Sequence, residues 1–514
     1  MTNSSTPTLW GHPKGLFYLF FAELWERFSF YGMRALLTLY MTQKLFYTDE
    51  MSFGIYAAYM SLVYMTPLIG GFVADRILGY RKAIITGGVF MALGHFFLSI
   101  ETPFFFFTSL ALIIVGNGFF KPNISTFVGL LYPKDDVRRD AGFTIFYLGI
   151  NLGGAIAPLL CAWLASAYGW HYGFMAAGIG MVTGLIFFYR GLSTNVFGEK
   201  GGVPNLNTFN KKTFGLNQGK QVVLFSVLAV PVFAALVYFY EYESFLVGLV
   251  TMLIFGILVY ISTTVSTLER KQLLAIVYFM ALSTLFWAIF EQAGSSLTLF
   301  ADRNVNLVWI NAAQTNSINS TFIILLAIPF SLLWPFLTRH HQNPNSAIKF
   351  GLGLVLLGIG FLVFAYSGNA ADEVARTPMS FLVLGYFIYT AGELCLSPIG
   401  LSKMTELSPR KYLAFVMGVW FCSNFYGHYF AGKIATLTTT NDSGETWLQP
   451  GFLRNLIEGV TGLQHDAING TGAAFEQLYA YVTVYALFGY VALAVGLLAI
   501  LISPLIRKLM GDVH

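Results

Sequence analysis

Runs of about twenty residues without a charge recur along this 514-residue chain, and no other feature restricts its fold so strongly. The stretches Gly351–Tyr366 and Tyr481–Ile502 contain no Asp, Glu, Lys or Arg, and with their flanks each is long enough to cross the apolar core of a bilayer. Lipid offers backbone amides no hydrogen-bond partner, so such runs must close their bonds internally, as helices. With 56% hydrophobic residues, 11% charged residues and 50 phenylalanines, no water-soluble fold could hide this chain from solvent. The class expected is an all-α integral membrane protein, with the lipid bilayer as its main solvent.

Apolar runs read against polar breaks predict helices near 16–42, 52–74, 83–100, 104–131, 140–167 and 172–190. A link rich in Gly, Asn and Lys covers 191–220, and two plain apolar runs follow near 221–240 and 244–265. These two carry no charge toward the bilayer centre and read as an inserted hairpin at the periphery, facing lipid. Six more runs lie near 272–300, 308–338, 347–367, 377–405, 411–437 and 476–506, for about fourteen spans. The expected organisation is a six-helix bundle over 1–190, link and hairpin over 191–270, and a second six-helix bundle over 271–514. Alternate loops separate by sign. One side collects Arg76, Arg81, Lys82, Lys134, Arg138, Arg270, Lys271, Arg410, Lys411, Arg507 and Lys508, and the other mainly Asp49, Glu50, Glu101, Glu241, Glu243, Asp302, Asp442 and Glu445. The excess of bases marks the first side as cytoplasmic, with both termini inside. Glu23, Glu26 and Arg27 inside the first run are foreign to a signal-peptide core, so the first helix is expected to be retained.

A faint internal echo relates the halves. Trp25, Glu26 and Arg27 return as Phe290, Glu291 and Gln292, and Pro122 and Asn151 have counterparts in Pro398 and Asn424, at offsets of 265 to 276 residues. Parallel six-helix repeats with a substrate site at their interface are a transporter architecture.

Seven charges sit inside otherwise apolar runs: Glu23, Glu26, Arg27, Arg34, Lys121, Glu291 and Glu393. Facing lipid, each would cost ~2.5–3.5 kcal/mol, on the order of 20 kcal/mol together, so they must face a polar interior. Four acids against three bases leave one carboxylate over, a place for a proton. Glu23, Arg27, Tyr31 and Arg34 follow steps of four, four and three, one stripe of a helix with Glu26 on its edge. Protonating an acid beside a base removes their attraction and releases the base to an anion. Lys121 precedes Pro122, and Ser397 and Pro398 repeat a proline device near Glu393. His95 has no acid near it in its run, and the eight histidines do not cluster with acids in any span. Cys161, Cys395 and Cys422 share no metal-ligand spacing and read as buried apolar residues. No strand precedes a phosphate-binding glycine loop, no basic face suits a nucleic acid, and no nucleophile lies beside a base. Metal, cofactor and enzymatic chemistry are therefore not expected.

The segment GGFVADRILGYRK, from Gly70 to Lys82, resembles the loop motif of the major facilitator superfamily, where it latches the halves together. ELWERFSFYG (23–32) matches the ExxERFxYYG pattern of the proton-dependent oligopeptide transporter family, with Phe30 where many members have Tyr. FEQAGSSLTLFADR (290–303) and GELCLSPIGLSKM (392–404) also resemble that family, and the likeness covers nearly the whole chain in order. The inserted hairpin resembles the bacterial branch.

The resemblance implies the major facilitator fold and proton-coupled import of di- and tripeptides by alternating access, the proton being the only coupling ion. By motif, Arg34 and Lys121 would receive the peptide carboxylate and Glu393 the amino group. Tyr31, Tyr64, Asn151 and Asn319 would bond the peptide backbone, and Trp287 and Trp420 would wall the side-chain pockets. Glu23, Glu26 and Arg27 would form the proton-coupling cluster, with Glu291 pairing Arg34 and Lys121 pairing Glu393 as gates. A functional monomer in a bacterial cytoplasmic membrane is expected. The alternative on the same fold is a carrier of nitrate, a peptide-like drug or another small organic anion, which would have no need of Glu393.

Overall fold

A computed structural model of the chain describes residues 8–133, 136–213, 215–439, 448, 450–468 and 472–511. Lys134, Asp442 and Glu445 of the loop-charge division, and the side chain of Pro398, lie outside the described residues. Fourteen helices of 20 residues or more are present among the described residues. They are α1 Lys14–Gln43, α2 Asp49–Val73, α3 Gly79–Leu98, α4 Pro103–Leu130, α5 Arg139–Tyr168, α6 Trp170–Ser193 and α7 Gln218–Tyr238. There follow α8 Glu243–Thr264, α9 Thr267–Phe290, α10 Ser317–Arg339, α11 Ser346–Tyr366, α12 Met379–Leu407, α13 Leu413–Ala435 and α14 Ala473–Leu501. Among the described residues eleven segments are long and apolar enough to cross a membrane, one of them, Asp49–Leu98, holding both α2 and α3. The all-helical membrane fold read from the apolar runs is therefore present. Among the described residues, strands are confined to three two-residue pairs: Thr8–Leu9 with His12–Pro13 and Lys212–Thr213 with Leu216–Asn217, both antiparallel, and Val305–Asn306 parallel to Thr377–Pro378.

Local chemistry sets several helix starts. Ser266 and Glu269 close a reciprocal capping box on α9, Asn217 accepts from the Lys220 amide at 2.8 Å to cap α7, and Asn345 does the same for Ile348 at 3.0 Å on α11. Between α2 and α3 the chain forms a π-helical turn, Ala74–Leu78, and then takes φ +72° at Gly79. A side chain at Gly79 would strike the Gly202 backbone, so this position requires glycine on two counts. Two residues on, the Arg81 guanidinium donates to the carbonyls of Lys200 (2.6 Å) and Gly198, which fastens the 198–202 link to the start of α3.

The chain divides into two compact units. The first comprises residues up to Tyr40 and Leu62–Tyr240, thus most of α1, the second half of α2, and α3 to α7. Its core has α3 against α4 at glycine-lined contacts, where a Cβ on Gly87 would meet the Phe120 amide at 2.6 Å and one on Gly94 the Ser109 carbonyl at 2.9 Å. The second comprises Met41–Ser61 and Glu241 onward. In it α11 lies between α14 and α12: a Cβ on Gly358 would sit 2.7 Å from the Gly489 carbonyl, and one on Gly353 3.0 Å from that of Gly392. Lipid tails supply no hydrophobic force between helices, so this close backbone approach lets dispersion hold them.

Two expectations need correction. The run near 272–300 is not one helix: α9 stops at Phe290, a 3₁₀ turn covers Glu291–Gly294, and a short helix, Ser296–Asn304, resumes. Glu243, counted among the loop acids, is the first residue of α8 and only 7% exposed.

Candidate functional site

In the first unit, α1 carries the polar stripe that the spacing predicts. Arg27 meets Glu26 through two donors, Nη2 to Oε1 at 2.7 Å and Nε to Oε2, and its Nε lies 3.2 Å from Glu23 Oε1. All three are at most 3% exposed. One guanidinium thus holds two buried carboxylates, and Glu23 Oε2 makes no hydrogen bond within the protein. Phe30, where the family pattern has Tyr, is buried with its ring 5.4 Å from the Arg27 guanidinium, so the ring face shields that cation in place of a hydroxyl.

The remaining cations rest on tyrosines. Arg34 lies over the Tyr31 ring at 6.0 Å, and Lys121 Nζ over Tyr64 at 4.0 Å. Lys121, Tyr31 and Tyr64 are half-buried and Arg34 is buried, as lipid would demand of them. Asn151 on α5 is buried and donates to the Tyr147 carbonyl at 3.0 Å, one turn back on its own helix. His95 is buried too, with Nε2 2.8 Å from the Ser29 hydroxyl of α1.

In the second unit the acids are handled differently. Glu393 on α12 accepts from Asn319 Nδ2 of α10 at 3.0 Å, and the same amide reaches the Thr390 hydroxyl at 3.1 Å. Two residues read separately in the sequence are thereby one site. Glu291 opens the 3₁₀ turn after α9, where its Oε1 lies 3.8 Å from His428 Nε2 of α13. That contact corrects the reading that no histidine clusters with a membrane acid. The two are 137 positions apart and meet only because α13 runs alongside α9. Trp287 is half-buried with its ring 5.2 Å from Phe290, and Trp420 is buried, 6.4 Å from Phe350. Phe290 in turn contacts the buried Tyr389 at 4.7 Å.

Sequence reasoning missed Gln292. Fully buried, it donates to the carbonyls of Ala288 (3.1 Å) and Ala431 (3.0 Å) and accepts from Ser296 at 2.7 Å, and Thr298 donates to the Ala293 carbonyl at 2.7 Å. At Ala288 and Ala293 these side chains occupy carbonyls at the interruption, and through Ala431 Gln292 ties it to α13. The signal available was the pairing of Gln292 with Gly294, Ser295 and Ser296 inside an apolar run, a polar knot where a continuous helix has no use for one.

The family model described as the POT family matches residues 81–448. "Uncharacterized transporter YclF" of Bacillus subtilis (strain 168) is 37% identical over 444 residues, 83% of this chain and 88% of its own length. The "Di-/tripeptide transporter" of Lactococcus lactis subsp. lactis (strain IL1403) is 33% identical over 100% of this chain and 99% of its own. Among solved structures, a mutant of "peptide transporter POT" in complex with alafosfalin superposes with a TM-score of 0.80 at 33% identity, over 99% of this chain and 98% of that one.

Proposed function

This chain belongs to the POT family, and from that premise we propose that it is a proton-coupled symporter importing di- and tripeptides by alternating access. The observation that carries the substrate assignment is the sign of charge each unit keeps in its apolar interior. The first unit has Arg34 and Lys121 beyond the Glu23–Glu26–Arg27 cluster, and the second has Glu291 and Glu393, while Lys403 on the helix of Glu393 is already paired with Glu406. A zwitterionic peptide needs fixed charges of both signs, so Arg34 and Lys121 take its carboxylate and Glu393 its amino group. Asn319 holds the Glu393 carboxylate in one orientation. Tyr31, Tyr64 and Asn151 bond the peptide backbone, and Trp287 and Trp420 line the side-chain pockets. Reading ends and backbone rather than side chains makes selectivity broad.

Proton coupling belongs to Glu23, Glu26 and Arg27, with Glu291 as a second protonatable group. A proton on either acid of the cluster leaves Arg27 one carboxylate to hold instead of two, a discrete change in the packing of α1. One proton crossing ~150 mV supplies ~3.5 kcal/mol, enough for roughly 300-fold accumulation of a neutral peptide. One proton per peptide therefore suffices, with no cofactor. The setting is a bacterial cytoplasmic membrane with both termini inside and the monomer as working unit.

The test is dialanine uptake into proteoliposomes under an imposed inward proton gradient, with Glu291→Gln and Glu393→Ala beside the wild type. Uptake that requires the gradient and collapses in both variants supports the assignment. Folded wild-type protein that takes up no dialanine overturns it.

A further inference from the structure

The inserted hairpin has no part in the chemistry above, and its outward faces are what lipid contact demands: Phe225, Phe245, Met252, Phe255 and Tyr260 are each more than 60% exposed. Its inward edges are a different matter. On α7, Val230 joins a buried cluster with Phe90, Leu112, Val115 and Phe119 of α3 and α4, Val237 is wholly buried, and the Tyr238 ring meets Phe107 edge-on at 5.1 Å. All of these residues belong to the first unit.

On α8 the attachments are polar. Ser244 meets the Tyr429 hydroxyl at 2.9 Å, Thr251 that of Tyr426 at 2.9 Å, and Thr264 that of Tyr412 at 3.0 Å; Tyr412 immediately precedes α13, which carries the other two. At the head of this row Glu243 is buried beside the Ser61 hydroxyl and within electrostatic reach of Lys433, whose Nζ sits 5.9 Å over the Tyr429 ring. Every one of these residues lies in the second unit, and the division of the chain falls between Tyr240 and Glu241, inside the hairpin's own turn.

We propose that the hairpin is a divided strap: α7 is fixed to the first unit, α8 to the second, and the exposed turn Phe239–Tyr242 is the joint that flexes as the units exchange arrangements. The inference rests on the alternating-access reading above. A helix pair that only filled lipid space would have no reason to bury a carboxylate at the first residue of α8, nor to bond α13 and its approach at three heights. The joint also sets a limit. Five backbone steps from Tyr238 to Glu243, fully extended, reach roughly 17 Å, so the anchored ends can part by no more than that.

Distances between paired spin labels, measured in liposomes at neutral and acidic pH with and without dialanine, test it. The labels go on full-length protein whose three native cysteines are replaced and which retains uptake, at lipid-facing positions. Leu224 with Phe104 reports α7 against α4, Tyr260 with Phe430 reports α8 against α13, and Leu224 with Tyr260 reports the two hairpin helices. Ile186 with Leu325, one in each unit, is the motion control. The strap requires the first two distributions to stay fixed while the third shifts together with the control. A third distribution that stays fixed while the control shifts makes the hairpin a passenger and overturns the proposal, as does movement in either of the first two pairs. A control that never shifts removes alternating access itself, and the strap falls with it.

Discussion

In the first unit a buried guanidinium is clasped by two carboxylates, Arg27 between Glu23 and Glu26, whereas in the second Glu393 rests on the neutral amide of Asn319 and Glu291 lies beside the imidazole of His428. Both solutions keep ionisable groups in a lipid-solvated body, but they answer differently to a change of charge. Removing the base of the charge-paired cluster leaves two like charges buried together. A carboxylate held by an amide can lose its charge and keep a hydrogen bond, because the amide still donates, though more weakly, to a neutral carbonyl oxygen.

The largest effect that would break this comparison is in stability. Arg27→Leu strands two buried carboxylates and is expected to cost about 3–5 kcal/mol, read as a large fall in the thermal unfolding midpoint of the purified protein. Glu393→Gln should unfold within about 1 kcal/mol of the wild type, since an amide-to-amide bond replaces an amide-to-carboxylate one of modest net worth. If the two variants fall equally, the distinction between the units is wrong. Asn319→Leu sharpens the point: it removes the donor and leaves the Glu393 carboxylate buried, with an expected loss of about 1–3 kcal/mol.

How far the sequence predicts these two arrangements differs as well. The Glu23–Arg27 clasp was legible because its members share one helix, where steps of three and four specify neighbours. The fourteen helices were legible for a similar reason, since a bilayer demands long uncharged runs whatever their partners. The Glu393–Asn319 and Glu291–His428 contacts join residues 74 and 137 positions apart, on helices whose facing sides no local pattern declares. The break after Phe290 was passed over because apolar residues up to Phe290 and again at Leu297, Leu299 and Phe300 carry the run across the polar knot at 292–296, and Glu243 because an acid at the end of an apolar run looks like a loop residue until its burial is seen.

Helix contacts give a prediction of intermediate size. Gly358→Val pushes a side chain into the Gly489 backbone and the Leu493 side chain of α14 and is expected to cost about 1–3 kcal/mol. Gly256→Ala on α8, where a Cβ meets nothing within 4 Å, should be neutral or stabilise by up to ~1 kcal/mol through helix propensity. Thermal unfolding of the pair side by side separates a packing glycine from an incidental one.

The smallest effect belongs to the second unit's loop between α13 and α14, where Arg454 contacts Glu458 at 2.8 Å and Asp466 at 2.9 Å. Hydrogen bonding from Arg454 holds the Asp466 carboxyl below its usual range. For Glu458 partial burial works the other way, yet donation from Arg454, the His465 amide and the Tyr479 hydroxyl leaves it lowered as well. Depressed acids stabilise the folded state above their unfolded pKa and lose that contribution as pH falls through the folded value. Arg454→Ala should therefore unfold slightly earlier than the wild type at pH 7, and the gap should begin to shrink below about pH 4, where the unfolded chain takes up protons, and close only once pH has passed the lower folded values and both carboxylates are protonated in the folded protein as well.

The interrupted segment after α9 has a consequence for leakage. A broken helix ordinarily invites water, because bare carbonyls need donors, and a file of water through a membrane protein conducts protons. Here the carbonyls of Ala288 and Ala293 are already occupied by Gln292 and Thr298, all of them buried. The break is thus insulated by its own side chains. It can bend the helix beside Glu291 without opening a wire that would short-circuit the gradient the protein runs on.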